Sequence, residues 1–261
     1  MTLREQYLHA YDEQLRTDSE TPAALRMTRI GQLRLSTFAG GLGFVSYRDL
    51  SDTASQGMSN LVASAIEYFD TDQEISKILW KIRQHDNIPG LVEALLEQGF
   101  SPGAQDSIMV GPLEGLCTNV PEPVGVDLRK ASTEADVRAA CAMAGEAFNE
   151  PSDSRTADAI LERLARNDGL ELWVAQTDEK IVGSGRLEPV PDSDFAGFWG
   201  GSMLSAYRGR GIYRALTAAR ARSAIAQGKT LAHSESSAFS RPILERSGLL
   251  KISTTTSYWR P

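Results

Sequence analysis

The densest chemistry in the chain lies between Ser205 and Leu216, in the run SAYRGRGIYRAL. Arg208, Arg210 and Arg214 alternate there with Gly209 and Gly211, immediately before an apolar stripe, Ile212, Leu216 and Ala219, with helical spacing. A helix that starts at this point leaves the N–H groups of its first turn without intrahelical partners, at the positive end of its dipole. Glycines allow positive φ and a close approach to the backbone. The combination suits a phosphorylated ligand, with a diphosphate on the amides from Gly209 to Arg214. No Lys-Ser/Thr follows the glycines, and no six-residue dinucleotide fingerprint is present, so two common phosphate motifs are excluded. The bland alternative is a solvated strand–helix turn.

A second group can move protons. His233 and Glu235 share one face of a strand through the alternation of Leu231–Glu235, while Glu188 and Asp194 flank the preceding loop. Any of the four could serve as a general base, directly or through water; each could equally be a hydrogen-bonded or solvated polar residue. Trp173, Phe198 and Trp199 read as strand packing, and Arg220 with Arg222 as solvent-facing helix residues. Trp80, His85 and Asp86 could mark an old site but read better as a satisfied structural network. Cys117 and Cys141 are not spaced as a metal pair, and no metal is expected.

The elements that must position these groups follow from periodicity and punctuation. In the second half, Val126–Lys130 predicts a strand, and Thr133 with Asp136 forms a capping box for a helix reaching Phe148. A helix over Thr156–Arg166 follows, then a hairpin of Leu172–Gln176 and Lys180–Glu188 around Thr177-Asp178-Glu179. A strand over Phe195–Leu204 meets the Arg/Gly loop, and a long helix runs from Gly211 to Gln227, stopped by Gly228. A strand at Leu231–Glu235, a short helix at Phe239–Arg246 and a strand at Lys251–Trp259 complete it.

The first half predicts helices at Leu3–Leu15, Asn60–Phe69 and Leu91–Gln98, with strands at Ala24–Leu35, Gly43–Tyr47, Ile75–Ile82 and Ser107–Val110. The stretch from Pro112 to Pro123, broken by Gly115 and Pro121, reads as a linker. Both halves end with a short helix, a glycine (Gly99, Gly248) and a strand, which suggests an internal duplication at about 149 residues. The expected architecture is α/β, a mixed sheet with helices on both faces, in domains 1–120 and 121–261.

The loop from Arg208 resembles the pyrophosphate loop of the GNAT acetyltransferase superfamily, Gln/Arg-x-x-Gly-x-Gly/Ala, with Arg208 first and Gly211 fourth. Tyr213 stands where Gly or Ala is usual. The element order over about 124–259 and the ending Pro242–Leu249 are similar to that family's. The resemblance implies an acyl-CoA N-acyltransferase fold with two related halves. It implies an N-acetyltransferase that takes acetyl-CoA as co-substrate and passes acetyl by direct attack to a primary amine of a small molecule or peptide. Pantetheine would pair with the strand ending Gly201-Ser202-Met203, the oxyanion would meet an N–H near Met203 or Leu204, and Arg208, Gly209, Arg210, Gly211, Ile212, Tyr213 and Arg214 would hold the diphosphate. The Asn and Tyr that the family often uses fall at Ser237 and Leu244, and Leu244 cannot protonate a thiolate; either the thiolate leaves with water or another group, Ser240 or Tyr213, as donor, or the chain is not an efficient enzyme. Glu235, His233 and Glu188 are the candidate acid/base residues. A non-catalytic acyl-CoA-binding or sensing protein, or a protein-binding scaffold, are the alternatives.

Charge sharpens the division. Residues 1–120 carry nine basic against sixteen acidic side chains, and residues 121–261 eighteen of each, which accounts for the net −7. Nucleic acid is therefore not an expected partner of the first half. That half lacks an Arg/Gly loop after Tyr47, where Asp49 and Asp52 would repel a diphosphate, so it reads as a degenerate, partial copy that walls the acceptor site or supports a homodimer. No apolar run is long enough to span a membrane and the start does not resemble a signal peptide, so a cytoplasmic protein is expected.

Overall fold

The computed structural model describes residues 1–51, 53, 55–149, 154–178 and 180–261. They form two compact units, Met1–Ile108 with Ile252–Pro261, and Met109–Lys251. This division departs from the linear cut expected at 120/121. Two long strands each change from one unit to the other along their length, and the end of the chain returns to the first unit.

The first unit opens with helix α1 (Leu3–Leu15), started by a capping box between Thr2 and Glu5. Strands β1 (Arg26–Ile30) and β2 (Leu33–Phe38) follow, then β3 (Leu42–Tyr47), helix α2 (Ser55–Asp70), β4 (Lys77–Arg83) and α3 (Leu91–Glu97). The single strand expected over Ala24–Leu35 is thus an antiparallel hairpin, because Gly31 takes φ +55 and reverses the chain. Strand β5 (Ser101–Pro112) begins in this unit, and β11 (Leu250–Arg260) ends in it, paired antiparallel with β4 from Thr255↔Arg83 to Arg260↔Ile78. Phe69, Met58 and Val62 of α2 pack on Leu33, Leu35, Val45 and Trp80. At Gly43 the fit leaves no room for a side chain: a Cβ would lie 2.7 Å from the Phe69 ring.

The second unit contains α4 (Leu113–Cys117), β6 (Asp127–Lys130), α5 (Glu134–Phe148), α6 (Ser154–Ala165), β7 (Glu171–Gln176), β8 (Ile181–Pro189), β9 (Phe195–Met203), α7 (Ile212–Ala226), β10 (Leu231–Ser236) and α8 (Arg241–Arg246). Its strands run in the order β10-β9-β8-β7-β6, parallel only between β9 and β10. The capping box of α5 forms as its sequence predicts, Thr133 and Asp136 each bonding the other's backbone. Part of the predicted linker is structural: in α4, Leu113 and Leu116 are buried against Ala221, Leu244 and Leu249, and the Leu113 N–H donates to Thr230 O. The turn at 177–179 and the loop before α6 lie partly outside the described residues.

The two units repeat one device. In the first, β3 and β4 are parallel, joined through α2, and paired from Leu42↔Lys77 to Val45↔Trp80. In the second, β9 and β10 are parallel, joined through α7, and paired from Leu231↔Phe195 to His233↔Gly197. In each case both strands outrun their pairing and form a fork. Among the described residues, no helix is long and apolar enough to cross a membrane.

Candidate active site

The fork of the second unit opens just past His233 and Gly197. Beyond it β9 continues to Met203 and β10 to Ser236 without bonding each other. The freed stretch of β9 carries a bulge: Arg186 faces Trp199 but Ser184 faces Ser202, so β9 holds one residue more than β8. Gly200 lies in the bulge at φ +58, a conformation that a side chain at this position would strain. Two adjacent glycines, Gly200 and Gly201, inside a strand pattern were the sequence signal for this bulge.

Backbone bonding decides which amide can meet an oxyanion. The Leu204 N–H donates to Val182 O at 3.0 Å, so of the two positions expected, Leu204 is already engaged. Successive strand amides point to opposite edges, which turns the Met203 N–H toward the open side of the fork. Arg208 Nε donates to Met203 O (3.2 Å) and Arg208 Nη2 to Ala147 O (3.1 Å). Arg208 therefore ties the loop to β9 and α5, and its guanidinium serves geometry as well as charge. Ser202 is buried, its hydroxyl 3.0 Å from that of Ser184.

The loop itself is a 3-10 turn (Ser205–Tyr207) followed by Gly209 and Gly211, each at φ +77. Gly211 caps α7, and the first backbone bond of that helix runs from the Ala215 N–H to Gly211 O (3.0 Å). The amides of Ile212, Tyr213 and Arg214 thus have no carbonyl one turn back. Gly209, Arg210, Gly211 and Arg214 are exposed around them, with nothing within 4 Å of a Cβ at either glycine. Arg210 lies over the Tyr207 ring, 5.0 Å from its centroid. The Ile212 side chain is buried core.

The face of α7 turned to the sheet corrects one expectation. Arg220 is 1 % exposed, not solvent-facing. Its guanidinium donates to Arg186 O and to Thr217 Oγ1 (3.1 Å each) and lies over the Phe198 ring. Gly185 makes room for it, since a Cβ there would lie 2.6 Å from Arg220 Nη1. Burial lowers the Arg220 pKa, partly offset by neighbouring Tyr213. Arg222 is exposed as expected, donating to Cys117 O at 3.4 Å.

On the opposite face, cross-strand register aligns Glu188, Gly197 and His233 in one row. Paired residues share a face, so Glu188 and His233 flank a position with no side chain. Trp199 fills part of that space, its ring 5.1 Å from that of His233. Glu188 is held 3.1 Å from Arg186, and half-buried Glu235 lies two residues past the fork on the free part of β10. Asp194 is not brought in; it precedes β9 at the paired end, where its carbonyl accepts the Thr230 and Leu231 N–H groups. Ser240 precedes α8 without a side-chain bond to that helix, its hydroxyl lies 3.4 Å from that of Ser237, and Leu244 is buried core. Of the residues around these strands, the sequence suggests packing for Trp199 and a solvent-facing place for Arg220, and does not single out Arg186. Among the described residues, no group of three or more metal-ligating side chains occurs.

Residues 137–248 match the model of the Acetyltransferase (GNAT) family. No curated protein matches the sequence. Among solved structures, a GCN5-related N-acetyltransferase from Kribbella flavida is similar at TM-score 0.68 and 18% identity, over 100% of this chain and 96% of that one. A GCN5-related N-acetyltransferase from Sphaerobacter thermophilus is similar at 0.65 and 16%, over 88% and 76%. A tandem GNAT protein from the clavulanic acid biosynthesis pathway is similar at 0.62 and 12%, over 89% and 80%. The fold is that of the GNAT acyltransferases, with two related halves.

Proposed function

We propose that the second unit is an acetyl-CoA-dependent N-acetyltransferase acting by direct attack of a primary amine of a small molecule or peptide on the thioester. The observation that carries this reading is the continuity of the fork with the loop. A free strand edge, Gly201 to Met203, runs into a helix start with two positive-φ glycines and exposed arginines. Strand edge and helix start recognise different parts of one ligand, an amide-bearing arm and a diphosphate. Gly209 to Arg214 would hold the diphosphate, Ser202 and Leu204 shape the strand, and the Met203 N–H stabilises the developing oxyanion.

Catalysis in such a site is mainly the positioning of two substrates. Glu235, on the free part of β10, takes the proton of the attacking ammonium or amine, with His233 at the fork beside it. Glu188, held by Arg186, supplies negative charge for a cationic acceptor. Glu235→Gln is expected to lower kcat about 100-fold with the acetyl-CoA Kd unchanged. Steady-state rates and calorimetry on the same preparation check this; a kcat within threefold of wild type would remove Glu235 from the mechanism. The test of the activity is release of CoA thiol from acetyl-CoA across a panel of primary amines and lysine peptides. Amine-dependent release supports the enzyme. Binding without release with any amine would favour the second reading, an acyl-CoA sensor, for which the burial of Leu244 at the usual tyrosine position speaks.

The first unit is proposed to bind no acyl-CoA. Its own fork is occupied from within: Arg16 donates to the carbonyl of Tyr47, the last residue of β3, and to both carboxylate oxygens of Asp86. Its role is to support a homodimer, and a cytoplasmic location fits the reading.

A further inference from the structure

A thioester that is attacked by an amine expels a thiolate, and a thiolate released in a partly dry site needs a proton. Leu244 supplies none. Three observations converge on another donor. Tyr213 stands on the first turn of α7, half-buried, with its ring against β9: a Cβ on Gly201 would lie 2.9 Å from Tyr213 Cε2 and 3.1 Å from the hydroxyl oxygen. That hydroxyl therefore lies beside the freed stretch of β9, next to the bulge. One stripe of α7, Tyr213, Thr217 and Arg220, faces the sheet, and Thr217 Oγ1 bonds both Tyr213 O and Arg220 Nη2. Finally, Arg220 is a buried cation which, among the described residues, forms no ion pair with a carboxylate; its partners are carbonyls and a hydroxyl. A buried charge without a counter-charge is costly, and it favours any negative charge that forms close to it.

We propose that Tyr213 is the proton donor to the departing thiolate and that Arg220 is the positioning residue that steadies the phenolate left behind. The assignment rests on the acetyltransferase reading above. The amine nitrogen forms its bond to the acetyl carbon, and the adduct loses a proton to Glu235 or to water. As the adduct collapses, the carbon–sulfur bond breaks with its electron pair on sulfur, and sulfur takes the proton of the Tyr213 hydroxyl. The phenolate is then reprotonated from solvent. The same geometry explains the departure from the small residue usual at this place in the loop. A glycine or alanine would leave Gly201 uncovered and Arg220 without its phenol neighbour.

The decisive variant is Tyr213→Phe, which keeps the ring on Gly201 and removes only the hydroxyl. Measured on the full chain, acetyl-CoA and CoA affinities by calorimetry are expected to stay within threefold of wild type. With the best amine of the panel, kcat is expected to fall about 100-fold or more. A solvent isotope effect on kcat from proton donation by the hydroxyl is expected in wild type and is expected to vanish in the variant; loss of a packing contact would not remove it. A variant that binds acetyl-CoA and retains kcat within threefold would overturn the assignment and leave the acetyltransferase reading standing. Lost affinity in the variant would also overturn it, making Tyr213 a contact for the ligand. Wild-type protein that neither binds acetyl-CoA nor releases thiol would overturn both.

Discussion

Replacing Glu20 with glutamine is expected to destabilise the first unit by about 3–5 kcal/mol, the penalty for stranding buried cations. Glu20 follows α1 in a short 3-10 turn, and its carboxylate receives Arg34 Nη2 at 2.7 Å and a close ion pair from Arg83. Arg83 is 1 % exposed and Arg34 is buried. A neutral amide at this position removes the carboxylate that the two guanidinium groups share. The acid limb of stability carries the same information. Burial by itself would raise the carboxyl pKa, but the charges of Arg83, Lys81 and Arg34 together outweigh it and hold Glu20 at about 2. A depressed folded-state pKa contributes stability that is present above the unfolded value, near 4.3, and is lost as pH falls toward 2. The contribution is on the order of 3 kcal/mol. Urea unfolding at pH 7 and pH 3, followed by fluorescence of Trp80, which is fully buried in this unit's core, reads both effects. Wild type should lose stability between those pH values more steeply than Glu20→Gln. A variant within 1 kcal/mol of wild type at pH 7 would show that the arginines find other partners.

The second large effect is expected at Gly211. Substitution by aspartate should weaken acetyl-CoA binding at least 100-fold while changing global stability by only about 1 kcal/mol. Two terms act together. An aspartate places a negative charge at a helix start whose amides would each contribute about 1.5–3 kcal/mol to an ionic acceptor. It also forces a side chain into φ +77, which costs about 1 kcal/mol for a residue that tolerates the left-handed region. Nothing lies within 4 Å of the new Cβ, so the fold should accommodate it. Gly211→Ala separates the terms, since it carries the strain without the charge and should retain most of the affinity. If alanine and aspartate weaken binding equally, backbone conformation rather than charge governs the loop.

Much of the second unit was legible because its signals are local. Thr133 and Asp136 announce α5, Gly228 ends α7, and Arg208 to Tyr213 announces a glycine-rich turn into a helix without reference to anything distant. The errors have a common physical origin in tertiary context. Arg220 reads as a surface residue because nothing beside it in sequence shows that Gly185, on another strand, leaves a hole for its guanidinium. The helix at Leu113–Cys117 hides among prolines and glycines, and it exists because Leu113 and Leu116 find a buried surface. The hairpin at Gly31 is signalled by one glycine inside an otherwise continuous apolar alternation. The return of β11 to the first unit is a non-local pairing, which periodicity cannot reveal. The row of Glu188, Gly197 and His233 likewise depends on register across three strands; the alternation that joined His233 to Glu235 carried no information about their distance from Glu188.

One fork is open and the other is filled, and calorimetric titration of the full chain with acetyl-CoA tests this most directly. One site per chain with a dissociation constant in the micromolar range is the predicted result, since Arg16 occupies the fork of the first unit. Two sites per chain would show that the first unit still binds acyl-CoA. No heat and no binding would contradict the assignment of Gly201 to Arg214 as an acyl-CoA site, and with it the central claim.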